Sequence, residues 1–187
     1  MKILVTTVLA LLFTHFSYSQ STVPALDKSP MDVSYCPANY PLLKVQDKIT
    51  DPLVARVIYS RPQIDGRVIF GNLLEYGKVW RLGANEATEI EFFQNVVINN
   101  RKIKKGKYTL YAILQPDNWT IILNRELDTW GSFGYDSTKD VLRVTLPVQK
   151  QTDSTEVFSM YFDKSGKGYI LNTIWENVKV SLPILLP

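Results

Sequence analysis

Two reactive residue types are almost missing from the 187-residue chain, which has one cysteine and one histidine. His15 lies within an N-terminal apolar run and Cys36 has no second cysteine to meet. A mature chain that has lost that run cannot build a Ser-His-Asp triad, a Cys-His nucleophile pair, a histidine-ligated zinc or an intramolecular disulfide. No metal and no cofactor are expected. The chain also lacks a dominant charge, with Lys+Arg 21 against Asp+Glu 18 and a formal net charge of +3, so nucleic acid is not an expected partner. A composition of 45% hydrophobic and 12% aromatic residues is too apolar for disorder. No internal repeat and no sustained helical apolar stripe interrupts the chain. What remains is one globular domain held by its core alone.

What is present first is an address. Lys2, the apolar run Ile3 to Phe16 and then Ser17-Tyr18-Ser19 make a secretory signal peptide over residues 1–19, cleaved before Gln20. The run falls short of the roughly 20 residues that a spanning helix needs, so no membrane span is expected after cleavage. Cys36 lies too far beyond the run for a lipid anchor. The expected location is periplasmic or secreted. Residues 20–41 carry Pro24, Pro30, Pro37 and Pro41 and read as an extended arm or linker laid on the surface of a domain over 42–187, with Cys36 a passenger on it.

From Leu53 onward the chain alternates short β-branched and aromatic runs with turn signals. Strands are predicted over 53–60, 88–93, 96–99, 108–115, 119–124, 141–148, 156–162, 169–174 and 178–184. Asp65-Gly66, Asn99-Asn100, Lys105-Gly106 and Lys164-Ser165-Gly166 mark turns between them. Tyr108, Leu110 and Ala112 alternate with Thr109, Tyr111 and Ile113, apolar on both faces, so that strand is expected to be central. Gly71 to Lys78 is the best candidate for a short helix, and Lys102 to Lys107 for a solvated hairpin tip. The fold class is all-β: a single antiparallel β-sandwich, jelly-roll or immunoglobulin-like, preceded by the arm.

Residues 59–93 gather the polar candidates. Arg61 and Arg67 bracket the Pro62 to Gly66 turn, and Arg81 precedes Gly83, Asn85 and Glu86 at an expected loop tip. If the turn is a hairpin, the two arginines stand close and require a carboxylate or bound anion between them, with Glu86 and Asp65 the nearest candidates. Trp80, Trp119 and Trp175 are expected in the core; for Trp130, in the glycine-flanked loop that also carries Tyr135, two outcomes stay open, a ring presented to a sugar face and a loop lid that plugs the end of the sandwich.

The runs Tyr59-Ser60-Arg61-Pro62, Gly66-Arg67-x-Ile69-Phe70-Gly71, Trp80-Arg81-x-Gly83-Ala84-Asn85-Glu86-Ala87-Thr88, Trp130-Gly131, Tyr135-Asp136 and Asp140-Val141-Leu142-Arg143 resemble an uncharacterised family of exported bacterial proteins, the domain of unknown function numbered twenty-nine eleven. The resemblance covers about Ser29 to Pro183 and implies export and a compact all-β domain; it implies no activity. Leu82 departs from the small polar residue expected at its place.

Three functions stay open on the sequence. The first is binding of a polar small molecule, glycan or cell-envelope partner through Arg61, Arg67, Arg81, Asn85, Glu86, Trp130 and Tyr135. The second is a metal-free carbohydrate hydrolase using Glu86 with a second carboxylate, Asp136 or Asp140. The third is a purely structural envelope protein in which Arg81, Asn85 and Glu86 form an internal ion-pair network.

Overall fold

A computed structural model describes residues 22–187; the expected signal peptide, 1–19, lies outside the described residues. Among the described residues, eleven strands form two sheets. The larger contains β1 (Met31–Cys36), β2 (Ala55–Ser60), β3 (Val79–Trp80), β4 (Glu89–Phe92), β7 (Gly106–Leu114), β8 (Asn118–Asn124) and β9 (Asp140–Pro147), in the order β1-β2-β4-β7-β8-β9 with β3 also paired to β7. The smaller contains β10 (Gln149–Ser165), β11 (Gly168–Leu185), β5 (Val96–Ile98) and β6 (Arg101–Ile103), in that order. Every ladder between these strands is antiparallel.

The sandwich follows from alternation. Tyr108, Leu110 and Ala112 of β7 join the core between the sheets, while Tyr111 points to a separate cluster on the opposite face with Ala87 and Ile122. β7 is thus buried on both sides, as its residues predict. Val178, Val180 and Leu182 of β11 close the core from the smaller sheet. The core is aromatic: Trp80 stacks on Trp175 at 6.2 Å and 17°, and meets Phe158 and Trp119 edge-on at 5.3 and 5.9 Å. Edge-to-face and offset pairs of this kind add to the area they bury.

Three local expectations differ from the structure. Part of the proline-rich stretch is β1, an edge strand in register with β2 from Met31↔Ser60 to Cys36↔Ala55, and Cys36 is fully buried in the core rather than carried on an arm. Burial pushes its thiol up to about 12. The helix is α1 (Tyr40–Val45), entered through Pro41 in its first turn, whereas 71–78 forms successive turns in which Gly71 and Gly77 hold positive φ. Lys102 and Ile103 belong to β6 rather than to a hairpin tip. Among the described residues no helix is long and apolar enough to cross a membrane.

Candidate functional site

The site begins with an over-constrained loop. β3 and β4 occupy successive parts of the same edge of β7, Val79 opposite Ile113 and Glu89 opposite Thr109, so residues 81–88 bulge out between them. The bulge is closed by three bonds: Thr88 N–H donates to Arg81 O at 3.1 Å, Thr88 Oγ1 to Leu82 O at 2.5 Å and Trp80 Nε1 to Gly83 O at 3.0 Å. Leu82 and Asn85 hold φ of 55° and 56°, the left-handed region that a leucine side chain rarely adopts. At Gly83 a Cβ would stand 3.2 Å from Ser60 O and 3.3 Å from Thr88 Oγ1, which explains the small residue there. The conformation persists because Leu82 is buried and both flanks are bonded.

A second loop, 125–139, is pinned onto the first. Glu86 and Trp130 form an antiparallel bridge; Ala87 N–H donates to Thr129 O and Gly131 N–H to Asn85 O, both at 2.9 Å. Ser132 Oγ donates to Val79 O at 2.9 Å, and the Tyr111 and Thr129 hydroxyls lie 2.9 Å apart. The loop therefore roofs the small apolar cluster on the outer face of the larger sheet. Between the two loops and β2 lies a cleft of about 220 Å³. It is lined by Met31, Ile58, Tyr59 and Ser60 and by the carboxylate-bearing Glu86, Glu89 and Asp128. Glu89 Oε1 accepts from Asp128 N–H at 3.0 Å, which holds the 126–129 turn against β4.

Of the residues singled out from the sequence, Glu86 is exposed and lines this cleft, and Asn85 stands half-buried beside it. Trp130 is 61% exposed, whereas Trp80, Trp119 and Trp175 are buried. The three arginines do not converge on Glu86. The Pro62–Gly66 turn packs on β10 instead of forming a hairpin in its own sheet: Gln63 bridges Val157, Ile64 N–H donates to Glu156 O at 3.0 Å and Phe158 N–H to Pro62 O at 2.9 Å. Arg61 is carried to that interface, pairs with Asp32 at 2.9 Å and donates to Ser159 Oγ at 2.8 Å and Phe158 O at 3.3 Å. Arg67 folds back on its own turn, donating to Ile64 O at 3.0 Å and to Gln63 O. Arg81 is half-buried and forms no ion pair among the described residues.

Tyr135 and Asp140 belong to a different network. Asp140 Oδ2 accepts from Tyr135 OH at 2.6 Å and Arg143 Nε at 2.7 Å, while Oδ1 accepts from Asn124 Nδ2 at 2.8 Å. Burial, reinforced by the bond to Asp140, pushes the Tyr135 phenol up to about 12. Asp136 caps the 3-10 turn Ser137–Lys139 through Thr138, whose bonds hold its carboxyl below the usual range. Asp136 and Asp140 thus serve the roof loop, and neither lines the cleft with Glu86. The carboxylates that share the cleft, Glu89 and Asp128, are not among the candidates drawn from the sequence. The signal available was strand alternation: Glu89 and Glu91 face away from the core on β4 while Ile90 and Phe92 face into it.

The molecule is, by class, an all-β sandwich with a cleft built from two interlocked loops on the outer face of its larger sheet. The chain belongs to the family described as Protein of unknown function (DUF2911), whose model matches residues 41–184. No curated protein and no solved structure matches it significantly.

Proposed function

We propose that this protein is an exported binding module that takes one unit of a neutral or amino-bearing glycan, free or displayed on an envelope partner, in the Glu86–Asp128 cleft. The observation that carries the reading is the interlocked pair of loops, which holds Glu86 and Asp128 at a cleft mouth beside an exposed Trp130. Carboxylates accept hydrogen bonds from hydroxyl and ammonium groups, and an indole offers a flat apolar face. At about 220 Å³ the cleft is below the size usual for a whole small-molecule ligand, which suits one unit of a longer one. Its lining contains three carboxylates and neither arginine nor lysine, which disfavours anionic sugars. The signal-peptide pattern of residues 1–19 supports delivery to the periplasm or beyond.

Thermal-shift measurements against oligosaccharides of N-acetylglucosamine, mannose, galactose and glucosamine test this. A ligand that binds only the folded state must raise Tm by mass action. The rise is expected for at least one sugar and is lost in Glu86→Gln and in Trp130→Ala, whose unliganded Tm values stay close to that of the parent because both side chains are exposed. No rise with any of the four, or a rise that survives both substitutions, would overturn the assignment. A second reading, hydrolysis, is favoured by one fact: Glu86 and Asp128 share the cleft. Release of reducing ends from a bound oligosaccharide, abolished in Glu86→Gln, would distinguish it.

A further inference from the structure

Arg81 stands apart from the other partly buried arginines. Arg56, also part-buried, pairs with Glu91 at 2.8 Å and lies over the Phe93 ring at 5.7 Å; Arg61 pairs with Asp32 at 2.9 Å. Arg81 has no such partner among the described residues. Its Nε is shut off from solvent and has no acceptor among the described residues. Burial alone lowers its pKa, with no carboxylate acting in the opposite direction. A guanidinium cannot shed its charge at neutral pH, so a half-buried one without an anion is held at a cost.

The backbone that holds it is rigid. Arg81 sits between Trp80, locked in the aromatic core, and Leu82, held at φ 55° by the bond from Thr88 to its carbonyl. An anchored position next to the strained Leu82, carrying a guanidinium with no ion-pair partner among the described residues, is a receptor for a group with two acceptor oxygens. We propose that Arg81 is the binding residue of a small oxyanion site, distinct from the Glu86 cleft, that takes a carboxylate or phosphate group. The fork geometry of Arg is what the site uses, so lysine is a poor replacement.

The test is a titration of the 15N-labelled protein with inorganic phosphate and, separately, acetate, reading the Arg81 Nε–H resonance against sodium chloride at equal ionic strength. A saturable shift with phosphate or acetate and none with chloride is expected; phosphate alone indicates a phosphate-bearing ligand, acetate alone a carboxylate. At saturation Tm should rise by roughly 3–8 °C in the parent, less in Arg81→Lys and not at all in Arg81→Met. Should Arg81→Met fail to fold, the resonance of the parent protein still decides. The proposal is overturned if neither anion produces a saturable shift up to about 100-fold the protein concentration, or if the Tm rise is the same in Arg81→Met.

Discussion

β7 has two faces, and they do different work. Toward the smaller sheet, Leu110 and Ala112 meet a continuous core in which Trp80, Phe158 and Trp175 pack ring on ring and Trp175 Nε1 donates to Glu156 O at 3.1 Å. Toward the outside, Tyr111 meets Ala87, Ile122 and, edge-on at 5.1 Å, the Tyr135 ring, with Val79 and Ile113 at the margin, beneath a loop held by hydrogen bonds. The inner face binds its surroundings through area; the outer face binds them through a few directed polar contacts. A loop held that way can leave Trp130 and Glu86 at the surface without loosening the domain. Stability therefore resides on one side of β7 and the candidate site on the other.

The largest effect is expected inside. Trp175→Ala empties a ring that meets three others, Phe70, Trp80 and Phe158, and should destabilise the domain by about 3–5 kcal/mol in urea denaturation; a loss below about 1 kcal/mol would break the distinction between the faces. Asp140→Asn is expected to cost less, about 1–3 kcal/mol, because it weakens the partners of Tyr135 and Asn124. The Arg143 part of that loss is small, since its side chain is 44% exposed. Glycan response should fall with it, because the roof loop is loosened.

Alkali sharpens the same contrast. The folded-state pKa of Tyr135, about 12, lies above the ordinary phenol value near 10. The unfolded state therefore releases its proton first, and the stability Tyr135 contributes is complete below pH ~10 and lost as pH rises toward 12. Ultraviolet difference titration should find its phenolate absorbance absent at pH ~10.5 in the parent. Arg67→Ala should change stability by no more than about 0.5 kcal/mol, because Arg67 is exposed and bonds only to its own turn.

The strands were legible because their physics is local. All nine predicted strand runs overlap observed strands, overrunning their ends by one or two residues at most, once 169–174 and 178–184 are seen as parts of β11, which continues through an irregularity at Glu176, φ 48°. β1 was illegible for the opposite reason. Prolines flank it, and only pairing with β2 and burial of Cys36 make it a strand. The site was legible in part. Glu86 and Trp130 follow from a loop tip and a glycine-flanked aromatic. Grouping Arg61 and Arg67 with Glu86 required the Pro62–Gly66 turn to close within its own sheet, and its packing on β10 is a long-range choice that no local signal records.

The division between the faces has one direct readout. The chain has four tryptophans, of which Trp80, Trp119 and Trp175 are 6%, 1% and 1% exposed and Trp130 is 61% exposed. In a 1H–15N spectrum each indole gives its own signal. Titration with the oligosaccharide that raises Tm most should shift the Trp130 indole saturably and leave the other three in place. A shift confined to the buried three, or none at Trp130 at a concentration that saturates the Tm rise, would contradict the assignment of recognition to the outer face.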